Sequence, residues 1–160
     1  MNWDAIGAIG EIIGAFAVVL SLVYLSVQIR KQSEESKIAA MHDIAVGFRD
    51  SVVAFADAEL ADIFIKSNHD PESLTERERL QLITSVLRVL RLWEEAFLMH
   101  SKDRLEEDQW QSMVRQIRPI LSTPAVQWVW KLRKNILNDR FRDFMEELAT
   151  EKYSLGDDLE

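Results

Sequence analysis

Apolar residues follow one another almost without interruption from Ile6 to Ile29 and then become sparse and periodic. As a helix those 24 residues extend roughly 36 Å, more than the ~30 Å of bilayer hydrocarbon. One charged side chain, Glu11, stands inside the run. Steps of four and three from Gly7 pass through Glu11, Gly14, Val18, Ser21, Leu25 and Gln28, and such steps return to one face of a helix. The other faces carry Ile9, Ile12, Ile13, Phe16, Val19, Leu20, Leu22 and Val23. Gly10 and Gly14 add a small-xxx-small spacing that lets helix backbones approach closely. A carboxylate in hydrocarbon is costly unless it meets a partner helix or water. The pattern therefore predicts lipid on one side of the helix and a neighbouring helix on the other. Arranged around an axis, Glu11 side chains would form a ring of the kind found in cation pores. The alternative is that Glu11 lies at the outer headgroups, with the hydrocarbon span running only from Ile12 to Ile29.

Trp3 and Tyr24 lie about 31 Å apart along such a helix and are placed as interfacial anchors. No Lys or Arg precedes the run, whereas Arg30, Lys31 and Lys37 follow it. That is not the charge pattern of a cleaved signal. The positive-inside rule sets the N-terminus outside and the remaining chain in the cytoplasm.

Beyond the run, Ile38, Met41, Ala45, Phe48, Val52, Phe55, Leu60 and Ile63 keep a helical period. The first helix is expected to continue to about Ser67, interrupted at most near Gly47. Asn68-His69-Asp70-Pro71 reads as a stop, and Thr75-Glu76-Arg77-Glu78 as a capping box opening the next helix. There Leu80, Ile83, Leu87 and Leu90 mark one face, widened by Leu82, Val86, Val89 and Trp93. So broad an apolar surface predicts the centre of a bundle. It should fade near Ser101-Lys102-Asp103. A helix from about Leu105 to Leu121, carrying Trp110, Met113, Val114 and Ile117, is expected to kink or end at Pro119. Thr123 and Pro124 predict a cap and first position for a helix holding Val126, Val129, Leu132 and Ile136. A last helix starts at Asn138-Asp139 and contains Phe141, Phe144, Met145 and Leu148. No window shows sustained two-residue alternation. The predicted fold is all-α, with a transmembrane helix at 1–30 continuing into a cytoplasmic helical domain at 31–153 and an acidic tail at 154–160.

Composition removes several function classes. A net charge of −8 argues against nucleic acid as a partner. With no cysteine there can be no disulfide, thiolate metal site or cysteine nucleophile. His42, His69 and His100 have no second histidine at helical spacing and no Glu-x-x-His pairs, so neither a helical zinc motif nor a di-iron bundle is present. Outside the apolar run only Gly47 and Gly156 occur, too few for a phosphate loop. The pairs Glu94-Glu95, Glu106-Glu107 and Glu146-Glu147 are expected on solvated faces. Trp93, Trp110, Trp128 and Trp130 are expected in the core. The basic group Lys131, Arg133, Lys134, Arg140 and Arg142 is expected to pair with nearby acids rather than meet anionic headgroups. No cofactor or metal is expected.

The opening, Trp3-Asp-Ala-Ile-Gly-Ala-Ile-Gly-Glu11-Ile-Ile-Gly14-Ala, then Leu22-Val-Tyr-Leu-Ser-Val-Gln-Ile-Arg30, resembles a widespread bacterial family of small single-pass membrane proteins. Trp110, Pro124, Trp128, Trp130, Phe141 and Phe144 resemble its C-terminal pattern. The resemblance implies one membrane helix joined to a helical cytoplasmic domain and implies no reaction. The expectation is thus a non-enzymatic protein of the bacterial inner membrane that self-associates. Gly7, Gly10, Glu11, Gly14, Ser21 and Gln28 would form its seam, and Trp3, Tyr24, Arg30 and Lys31 its anchors. The alternatives are a homo-oligomeric ion channel with Glu11 near the pore and an accessory subunit of a larger membrane complex.

Overall fold

The computed structural model describes residues 3–148, the side chains of Asp4, Ala5, Ile6 and Ala8 excepted. The expected acidic tail, and the last residues of the expected cytoplasmic domain (149–153), lie outside the described residues. Those described form α1 (Trp3–Phe55), α2 (Ala58–His69), α3 (Glu76–His100), α4 (Glu107–Leu121), α5 (Pro124–Arg133) and α6 (Asp139–Glu147). Two 3-10 turns, Pro71–Ser73 and Lys134–Ile136, complete the set, and no strand occurs among the described residues. The fold is all-α. Two compact units divide between Ala40 and Met41, and α1 contributes residues to both.

The described residues of the first unit are helix alone. Every described side chain between Gly7 and Ala39 is exposed, including Phe16 at 66% and Leu20 at 67%. Among the described residues, α1 is the one helix long and apolar enough to cross a membrane.

The second unit is built around α3, which packs against α2, α4, α5 and α6. Its inward stripe is Leu82, Val86, Leu90, Trp93 and Ala96. Leu80, expected on the core face, is 65% exposed. The helix is apolar on more than one side, and its partners lie on the side of Leu82. Phe141 of α6, Val129 of α5 and Ile117 of α4 close over this stripe and are almost wholly buried. A smaller cluster joins Ile44, Ala96, Leu105, Trp110 and Val114. Leu105, expected to begin α4, lies just before it. Together with Trp110 it forms the hydrophobic staple of a helix whose capping position, Glu106, makes no side-chain cap. Pro119 is tolerated in the last turn of α4, which ends two residues later.

Within the second unit, α1 turns Met41, Ile44, Phe48, Ser51 and Phe55 inward. The Phe48 ring meets Trp93 edge-on at 4.9 Å. The expected period through Ala45 and Val52 is out of phase with this face: Ala45 is exposed and Val52 is 69% exposed. Gly47 does not interrupt the helix. A Cβ there would stand 2.8 Å from Leu92 Cδ1, so its missing side chain admits α3. The break comes instead at Ala56-Asp57. Asp57 caps α2 by accepting from the amides of Glu59 (3.1 Å) and Leu60 (3.2 Å). The expected single helix to Ser67 is therefore two helices, with Phe55 packed edge-on against Phe64.

Asn68-His69-Asp70-Pro71 ends α2 as expected, and Thr75 with Glu78 forms the capping box of α3. Thr123 departs from expectation. Its hydroxyl donates to Ile120 O (2.8 Å) and caps nothing. The amide of Ala125 donates instead to Asn68 Oδ1 at 3.1 Å, so α2 supplies the cap of α5. α5 ends at Arg133, and Leu132 and Ile136 are 46% and 51% exposed rather than core, while Leu137 is buried. Asn138 caps α6 as expected.

Candidate functional site: the exposed face of the first helix

Helical pitch alone assembles Gly7, Gly10, Glu11, Gly14, Ser21 and Gln28 on one side of α1. Nothing lies within 4 Å of a Cβ built on Gly7, Gly10 or Gly14. The close approach these glycines permit has no partner among the described residues. Glu11 is exposed and makes no hydrogen bond or ion pair among the described residues.

The lower part of the face satisfies itself. Ser21 Oγ donates to Ala17 O at 2.8 Å, the back-bond that hides a hydroxyl in an apolar setting. Gln28 Nε2 donates to the Tyr24 hydroxyl at 2.8 Å. Tyr24, expected only as an anchor, thus touches a seam residue. Their spacing of four residues is a signal that could have revealed the pair. Trp3 is 70% exposed, and Arg30 and Lys31 are exposed after the apolar stretch. Of the six seam positions, Glu11 is the one ionisable group, and its neighbours Gly7 and Gly14 offer no side chain to pair with it.

A cleft of about 370 Å3 lies between the later part of α1 and α3, lined by Gly47, Asp50, Ser51, Arg88, Arg91, Leu92 and Glu95. Its polar groups are partly committed. Ser51 Oγ donates to Gly47 O at 2.8 Å. Arg91 donates to Glu94 Oε2 (2.7 Å) and to Ile136 O (2.9 Å). Glu94 also accepts from the amide of Asn138. Glu94 is buried, contrary to the expected solvated pair, because it fastens the α5–α6 connection to α3. Glu95 is exposed as expected.

His42 and His69 are exposed, and the His100 ring stacks on Trp110 at 4.8 Å. Among the described residues no three of His, Cys, Asp and Glu come together to hold a metal ion. Trp93, Trp110 and Trp130 are buried, and Trp128 is half-buried with its indole N–H donating to Glu72 Oε1 at 3.3 Å. Lys134 pairs with Glu146 (2.6 Å) and Arg142 with Asp139 (2.9 Å), as expected for two of the five cations. The Lys134 bond lowers the Glu146 pKa. Glu78 is lowered further, to about 2. It accepts from the Thr75 amide first, then from Lys66 Nζ at 3.0 Å and the Thr75 hydroxyl. The Lys66 pair ties α2 to α3, and the Lys134 pair ties the Lys134–Ile136 turn to α6. No family model, characterised protein or solved structure matches the chain.

Proposed function

We propose that this chain crosses the bacterial inner membrane once through α1, N-terminus outside, and self-associates through the face of Gly7, Gly10, Glu11, Gly14, Ser21 and Gln28. It acts without catalysis, presenting the helical unit from Met41 onward to the cytoplasm. The observation that carries the reading is the complete exposure of α1 from Ile9 to Ile29, side chains that water would not tolerate in such number. Glycines with open space over them and an unpaired carboxylate support a protein neighbour on one side, and the largely apolar remainder supports lipid on the other.

Single cysteines in this cysteine-free chain test the topology. Asn2→Cys should react with an impermeant maleimide from the periplasmic side of intact cells, and Lys102→Cys only after lysis. Extraction by alkaline carbonate would contradict membrane integration. The unpaired Glu11 favours one second reading, a homo-oligomeric cation channel. It requires a conductance in reconstituted bilayers that Glu11→Gln alters. A membrane role as accessory subunit would instead appear as stoichiometric co-purification with one other membrane protein.

A further inference from the structure

The cleft between α1 and α3 is lined by opposite charges that do not neutralise one another. Two of its lining residues, Gly47 and Leu92, pack so closely that a Cβ on Gly47 would stand 2.8 Å from Leu92 Cδ1. Ser51 is 6% exposed and donates its hydroxyl proton to Gly47 O at 2.8 Å, so toward any further group its oxygen can only accept. Asp50 of α1 and Arg88, Arg91 and Glu95 of α3 line the same cleft. Arg91 is answered by Glu94 Oε2 and Ile136 O. Asp50, Arg88 and Glu95 are exposed and make no hydrogen bond or ion pair among the described residues, although they border one cleft.

The free groups thus comprise two carboxylates, one guanidinium and one accepting hydroxyl oxygen. A simple anion on Arg88 would be opposed by both carboxylates, and a metal ion on the carboxylates would be opposed by Arg88. A molecule that answers every group carries two ammonium groups and one carboxylate. The cleft volume, about 370 Å3, lies within the range of small-molecule sites. We propose that this cleft binds an α-amino acid with a cationic side chain. Its carboxylate meets the Arg88 guanidinium, whose planar fork suits that group. Its two ammonium groups meet Asp50 and Glu95, with Ser51 Oγ as a further acceptor. The site lies wholly within the second unit and does not depend on the membrane reading above.

The test is a titration of the full chain in detergent, followed by saturation-transfer NMR, with L-lysine as the probe. Cadaverine, which lacks the carboxylate, and L-norleucine, which lacks the side-chain ammonium, are the comparisons. L-lysine should bind more tightly than either by about two- to fivefold, the scale of one exposed charge pair. Arg88→Gln should remove the preference for L-lysine over cadaverine. Asp50→Asn with Glu95→Gln should remove the preference for L-lysine over L-norleucine. These are exposed positions away from the core, and unchanged tryptophan emission verifies that each variant is folded. No transfer to L-lysine at about 10 mM would overturn the proposal. So would equal binding of the three probes, or preferences that survive the substitutions, since either result marks the three residues as solvated charges with no ligand.

Discussion

Asn68 shows how a single side chain decides the path of a chain. Its position in an Asn-His-Asp-Pro stop explains why α2 ends, but its Oδ1 also accepts the amide of Ala125, 57 residues later. Asn68→Ala should therefore cost about 1 kcal/mol, the usual loss of a helix cap, read from urea unfolding followed by tryptophan fluorescence. Thr123→Ala, whose hydroxyl caps nothing, should cost less. Glu78 makes a second argument at this scale. Its folded pKa lies at about 2, below the ordinary 4.5. A lowered pKa means stability that is present above 4.5 and lost as pH falls through about 2. Glu78→Gln should hence lower Tm at about pH 6, and the gap from the parent should close as the pH approaches 2. A gap independent of pH would show that the carboxylate is not what joins Lys66 and Thr75. Glu94 is the residue that sequence hides best. An acidic pair on a helix ordinarily faces water, and nothing local announces that Glu94 will be met by Arg91 and the amide of Asn138.

At the scale of elements, the signals that were legible are the local ones. The capping box at Thr75, the stop at Asn68–Pro71 and the cap at Asn138 depend on residues within one turn of the boundary they set. What was not legible depends on partners. The apolar residues of α1 after Met41 and those of α3 fill more than half the circumference, so periodicity alone admits more than one inward face. Packing chose Ile44 and Phe48 over Ala45 and Val52, and Leu82 over Leu80. Leu82→Ala should accordingly cost about 2 to 5 kcal/mol and Leu80→Ala under about 0.5. Comparable losses at the two positions would show that the stripe has been assigned to the wrong face. The break at Asp57 is not legible in the sequence, because an aspartate is equally at home on the outside of a continuing helix. Only the return of α2, with Phe64 against Phe55, makes it a cap.

At the scale of the molecule, the contrast lies between one unit that buries an apolar core and another whose described side chains from Gly7 to Ala39 are exposed. The second unit, from Met41, has a core of its own. The first is a helix whose described apolar surface is exposed, and the proposal divides its circumference between lipid and a second copy. The seam was legible as a face because pitch alone sets it. What covers it is not legible, because no described residue lies within 4 Å of a Cβ built on Gly7, Gly10 or Gly14. Replacing Gly14 by Leu would fill the space over the helix and should weaken association, whereas Phe16→Leu on the lipid side should not. The most direct test is the mass of the intact protein in detergent, measured by light scattering with the micelle contribution removed. A single assembly of fixed copy number, dissociated by Gly14→Leu, is the expected result. A monomer at every protein concentration would contradict the seam, and with it the pore.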